Sequence, residues 1–233
     1  IFNPKAQERI EDLVHFLQFE LVQERLTHWY AHEQEDLLKG MWILATYQYP
    51  DLEYDQLSKK IEQLYREIWT QLGADLLPFD QIKTINSMLF EKFKFRANTK
   101  NFHAPGNSMI NTVLESFKGN PISLSTLYLL IAQKLELPIF GVNLPNLFVL
   151  TYKTDKLQFY INVFNRGLIF SKEDIDNYIT QLQLMPQNEY FEPCDHGQII
   201  KRSLRNLIVA FDKIGDYHKS DEVKKLVNLI TGT

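Results

Sequence analysis

The chain has 233 residues, 45% hydrophobic and 13% aromatic, enough apolar material for one sizeable core. Its net charge of −4, with charged residues at 23%, lacks the basic excess that nucleic acid or an anionic membrane surface would require. A single cysteine, Cys194, excludes a disulfide framework and leaves no set of ligands for a cysteine metal site, so neither a metal nor a cofactor is expected.

Residues 5–30 place Ile10, Leu13, Val14, Leu17 and Leu21 at helical spacing. "EDLLKGMWILATYQYP" follows, with the acidic pair Glu35-Asp36 suited to a helix start and Pro50 to its end. "DQLSKKIEQLYREIWTQLG" sets Leu57, Ile61, Leu64, Ile68 and Leu72 on one face, opposite a solvated face that includes Glu62 and Arg66. A fourth helix runs from Pro78 to about Phe93.

Residues 94–110, rich in Asn, Gly and Pro, have no periodicity and read as a long ordered loop. Asn107-Ser108 is expected to cap a short helix over 109–117. "GNPISLSTLYLLIAQKLELP" (119–138) then predicts a buried helix, with Asn120 as N-cap and Pro121 at the first helical position. Ser123 and Ser125 within it are expected to bond to nearby backbone carbonyls.

"IFGVNLPNLFVLTY" (139–152) and "LQFYINVF" (157–164), joined by "KTDK", predict an antiparallel hairpin, and "NRGLIF" can add a short strand. Phe159, Tyr160 and Phe164 read as packing residues rather than a base-stacking platform. Ser171 and Asp174 open a further helix. The tail, 197–231, carries one stripe at Leu204, Leu207, Ile208 and Phe211 and a second at Val223, Leu226, Val227 and Ile230, the pattern of a single tetratricopeptide-type helix pair. The expected fold class is α+β: a helical region over 1–95, a core over 96–190 and a helical hairpin over 191–233, packed as one body because no flexible linker separates them. No apolar run reaches the roughly 18 residues of a membrane span, so a cytoplasmic protein is expected. The chain starts at Ile1 rather than Met, which leaves a signal peptide upstream open.

A helix start followed by two strands, at about 142–150 and 158–164, is an order that can present a nucleophile, a base and a residue that orients the base. Here the chain resembles a bacterial transglutaminase-like family of the papain-like superfamily, with a helical N-terminal region and a tetratricopeptide-like tail. The resemblance rests on "YQYPDL" (47–52), "NFHAPGNSMINTVLE" (101–115), "GNPISLSTLYLLIAQKLELP" (119–138), "GVNLPNLFVL" (141–150), "FYINVFNRG" (159–167) and "YFEPCDHGQIIKRSLRNLIVAF" (190–211). It implies a central helix on a small antiparallel sheet, and a catalytic Cys, His and Asp. Those three positions hold Pro121, Leu147 and Asn162, so all three roles are vacant. The implied function is therefore binding of a protein or peptide through the former active-site cleft and the tail, with His103, Asn107, Asn120, Ser123 and Asn146 as candidate lining residues.

Two alternatives stand beside it. One is a hydrolase or acyltransferase with a relocated nucleophile, Ser123 with His103 or Cys194 with a histidine. The other is an assembly role, with the tail forming a homo-oligomer. Cys194, Asp195 and His196 are adjacent, but neighbours on a loop rarely face one another; a buried thiol and a helix cap from Asp195 are the simpler reading. His28 and His32, at i and i+4, lack the Glu of the zinc-protease motif and read as helix surface, and His15 has no partner at metal spacing.

Overall fold

The computed structural model describes residues 4–73 and 75–232. Helix α1 (Pro4–His32) buries Phe19, Val22, Leu26 and Trp29, whose spacing of three, four and three residues keeps them on one side. The stripe expected from the sequence lies elsewhere: Ile10, Leu13, Val14, Leu17 and Leu21 are exposed. Both stripes obey helical periodicity, and α1 meets the body mainly through its second half, so the C-terminal stripe is the one that packs.

Asp36 caps α2 (Leu37–Thr46), accepting from the Lys39 N–H at 2.9 Å. This helix is apolar almost all round and buried accordingly. Its Gly40 is forced by contact: a Cβ there would stand 2.7 Å from Trp29 Cζ2. Helix α3 (Tyr54–Trp69) buries Leu57, Ile61 and Ile68. Helix α4 (Pro78–Asn86) starts at a proline and passes into a π-helical segment, Ser87–Lys92, in which the Phe93 N–H reaches back to Met88 O.

The loop after it is more structured than its sequence suggests. Strand β1 (Arg96–Ala97) pairs in parallel with β2 (Lys118–Gly119), and a 3-10 turn spans Pro105–Ser108. Two-residue strands leave no periodic trace in sequence. The expected cap is also different. Helix α5 (Ile110–Ser116) begins at Met109 without a side-chain cap, because Asn107 and Ser108 bond elsewhere.

Helix α6 (Pro121–Lys134) is buried along most of its length and lies across a four-stranded antiparallel meander. The expected hairpin is cut once more than the sequence implied. Residues 139–152 form two strands, β3 (Ile139–Leu144) and β4 (Leu147–Lys153), joined by the two-residue turn Pro145-Asn146. Proline cannot donate to the ladder, and Asn146 takes the left-handed conformation (φ 58°) that asparagine tolerates. Strands β5 (Gln158–Asn162) and β6 (Leu168–Phe170) complete the sheet.

Successive residues of β4 face opposite ways. Phe148 and Leu150 join the large core with α6; Val149, with Leu147 packed beside it, joins a smaller cluster that includes Ile175 and Ile179 of α7 (Lys172–Gln181). Ser171 and Asp174 form the capping box that opens α7. The tail is a helical hairpin: α8 (His196–Ile214) ends on Gly215 (φ 79°), and Asp216 caps α9 (Tyr217–Thr231). Its buried side chains belong to the same core cluster as those of α1, α2 and α6. Among the described residues, no helix is long and apolar enough to cross a membrane.

Candidate functional site

The start of α6 is built from a reciprocal set of bonds. Asn120 is extended (φ −90°, ψ 175°) and its Oδ1 accepts from the Ser123 N–H at 2.9 Å. Ser123 Oγ in turn accepts from the Asn120 N–H at 3.1 Å. Asn120 Nδ2 donates to Ser108 Oγ at 2.8 Å, which ties the preceding loop to the helix. Gly119 must be glycine: a Cβ would stand 2.5 Å from Ser123 Oγ. Of the first three helical residues, Pro121 has no N–H and that of Ser123 is held, leaving Ile122 with the open donor.

Beside this helix start lies a cleft of about 220 Å³. The helix contributes Asn120, Pro121 and Ile122, the loop Phe102, His103 and Ser108, the sheet Asn146 and Phe148, and α8 Arg202, Asn206 and Val209. Asn107 stands behind it. Buried, it donates to Asn101 O (2.7 Å) and Phe102 O (2.9 Å) and accepts from Asn98 Nδ2 (2.8 Å), holding the loop that presents Phe102 and His103. Ser123 is fully buried behind the cap.

The three positions taken from the resemblance are not gathered in the cleft. Pro121 lines it. Leu147 packs into the smaller cluster on the other sheet face, and Phe148 is the β4 side chain that reaches the cleft. Asn162 ends β5 and accepts from the Asn165 N–H at 3.1 Å, capping a 3-10 turn.

Neither relocated nucleophile has its base. The bonds of Ser123 Oγ both go to Asn120, at 3.1 and 3.3 Å. His103 stacks edge-on with Phe102. His196 turns away from Cys194, placing Nδ1 2.7 Å from Gln34 O and Nε2 3.0 Å from Gln133 Nε2. Asp195 caps α8 through the Gln198 N–H. Burial and the Asp195 carboxylate push the Cys194 thiol up to about 12, so almost no thiolate forms at neutral pH. Iodoacetamide is accordingly expected to label Cys194 at least about a hundredfold more slowly in the folded chain than in urea; equal rates would mean that the thiol is open. Ser125, expected to bond a carbonyl, is fully buried with no partner for Oγ among the described residues.

Arg202 and Asn206 did not stand out in the sequence, although with Val209 they sit at i, i+4 and i+7, a second stripe on α8 beside its buried one. Arg202 is half-buried; its Nη1 donates to Asn143 Oδ1 (2.8 Å) and Leu144 O (3.2 Å). No carboxylate pairs with it among the described residues, and burial lowers its pKa, with Arg205 adding to the effect. The remaining guanidinium N–H groups are available to a ligand. The side chains of Asn146 and Asn206 make no hydrogen bond to the described residues and can offer both a donor and an acceptor.

A family model described as the transglutaminase-like superfamily matches residues 55–205, which contain the sheet, α6 and the start of α8. A UPF0162 protein of Xylella fastidiosa is 26% identical over 204 residues, covering 82% of this chain and 72% of that protein. The UPF0162 protein PM0557 of Pasteurella multocida is 29% identical over 107 residues, covering 46% of this chain and 40% of its own. F-box only protein 21 of Mus musculus is 30% identical over 108 residues, 43% of this chain but 17% of the mouse protein. No solved structure matches the chain significantly.

Proposed function

Because this chain belongs to the transglutaminase-like superfamily, we propose that it uses the cleft at its α6 helix start to hold a peptide segment rather than to transfer an acyl group, and that the segment carries an acidic group. Arg202 is the observation that carries this reading: a half-buried guanidinium on the cleft wall without a carboxylate partner among the described residues. A desolvated cation is stabilised by an anion with matching geometry, and guanidinium fits a carboxylate two bonds at a time. Asn146 and Asn206 suit the alternating donors and acceptors of a peptide backbone, and Phe102, Phe148 and Val209 supply apolar contact. Against catalysis stand a proline in the nucleophile's seat, Ser123 committed to its cap, and a half-buried thiol elsewhere that is held protonated.

The test is selection of binders from a random peptide pool on the full chain, followed by fluorescence anisotropy. The expected binders carry Asp, Glu or a free C-terminal carboxylate. Arg202→Gln is expected to weaken them by about tenfold or more, the value of a hydrogen bond to a charged group, and Arg202→Lys by less. Binders indifferent to both changes, or turnover of the selected peptides, would remove the reading.

A further inference from the structure

Outside the cleft lining, the structure gathers His15 of α1 with His218 and Glu222 of α9, and their ligand atoms all lie within 4.8 Å of one another. We propose that these three side chains form a Zn2+ site that clips the first half of α1 to α9. Glu222 is the centre of the argument. It is buried, at 7% exposure, and its partners among the described residues are the Tyr47 hydroxyl on Oε2 (2.7 Å), His15 Nε2 on Oε1 (2.9 Å) and, farther off, His218 Nδ1 (4.0 Å from Oε1). No lysine or arginine compensates that carboxylate among the described residues. A buried carboxylate oxygen with two imidazoles beside it is a set of donors that a divalent ion accepts.

Tetrahedral ligands about 2.0–2.2 Å from a metal stand roughly 3.3–3.6 Å apart. Here the two separations to Oε1 are 2.9 and 4.0 Å and the whole set lies within 4.8 Å, so zinc would draw the ligand atoms together by shifts of about 1 Å. Two neutral imidazoles, one carboxylate and a water in the fourth position complete such a site. Tyr47 supplies the outer support: its hydroxyl donates to Glu222 Oε2 at 2.7 Å and fixes that oxygen. His15 and His218 are 40% and 75% exposed in their side chains, which gives the ion a way in.

The site has a structural consequence. Among the described side chains from Lys5 to Gln18, only His15 and Gln18 are even partly buried. His15 is thus the first anchoring point of the half-helix that carries the exposed stripe Ile10, Leu13, Val14 and Leu17. A metal there would fix that half-helix.

Calorimetric titration of the EDTA-treated full chain with ZnCl2 at neutral pH tests the proposal. One equivalent of zinc is expected to bind. His218→Ala, a change at an exposed position, and Glu222→Gln, which keeps the side chain's shape, should each weaken binding by at least about tenfold, the scale of losing even an outer-shell partner. The double variant His28→Ala, His32→Ala removes the other close histidine pair, whose rings are 5.0 Å apart, and should leave binding unchanged. No uptake by the native chain, equal uptake by His218→Ala, or loss confined to the His28/His32 variant would overturn the proposal.

Discussion

Trp29→Ala is expected to cost about 3–5 kcal/mol, the range for deleting a fully buried tryptophan. Trp29 has no exposed surface. Its ring lies so close to α2 that Gly40 has no room for a Cβ, and Ile200 of α8 closes the same gap, 3.1 Å from where that Cβ would be. The indole Nε1 donates to Asp36 O at 2.8 Å, and Asp36 caps α2 while accepting from the Tyr54 hydroxyl at 3.1 Å. One side chain therefore joins α1, α2 and α8. The change should lower the urea midpoint with little change in slope. A loss below about 1 kcal/mol would mean that the site collapses freely or that this packing is absent.

Asn120→Ala is expected to cost about 2–3 kcal/mol. The lost N-cap contributes about 1 kcal/mol, and the Ser108 hydroxyl and the Ser123 N–H are left buried without Asn120, at about 1–3 kcal/mol for an unsatisfied group. Ser123→Ala should cost less, about 1 kcal/mol, because it leaves the Asn120 acceptor on the backbone N–H in place. Asn120→Ala should also weaken peptide binding, since the Asn120–Ser108 bond is what ties the loop bearing Phe102 and His103 to the helix. Chemical denaturation measures the first effect and anisotropy the second. Unchanged stability would contradict the reciprocal cap.

The Asn120 cap and the Pro121 start of α6 were legible in sequence, because Asn-Pro is local chemistry: an acceptor and a fixed φ. The return bond from the Asn120 N–H to Ser123 Oγ was not read, since a serine there was expected only to bond a carbonyl. Helices α2, α3 and α4 and the tail hairpin were legible for a similar reason, their periodicity being local. Which of two stripes packs is not local. Ile10, Leu13 and Leu17 have the same spacing as Phe19, Val22 and Leu26, and the partner surface decides between them. Trp29 was overlooked between His28 and His32 for that reason. The sheet turned on two residues. Reading 139–152 as one strand hid the Pro145-Asn146 turn and, with it, the register that sends Phe148 to the cleft and Leu147 away from it.

Of the candidate lining residues, those named at first rest on the resemblance, which already sets the loop, the helix start and the strand turn side by side, while the contribution of α8 does not show in any local pattern. His103, Asn120, Pro121 and Asn146 line the cleft; Asn107 and Ser123 stand behind it as supports. Arg202 and Asn206 arrive from α8, some 80 residues after Asn120, and their role depends on a helix crossing that no local pattern encodes. The His15–His218–Glu222 group was invisible for the same reason, its members lying 207 residues apart where His15 meets Glu222.

The most direct measurement of the peptide-cleft account is a backbone amide NMR titration of the isotope-labelled chain with a selected acidic peptide. The account predicts saturable shifts concentrated at Phe102, His103, Ile122, Asn146, Phe148, Arg202 and Asn206, lost in Arg202→Gln, with the peptide recovered intact. Shifts centred on α9 or on the exposed half of α1, or a peptide cleaved or cross-linked during the titration, would contradict it.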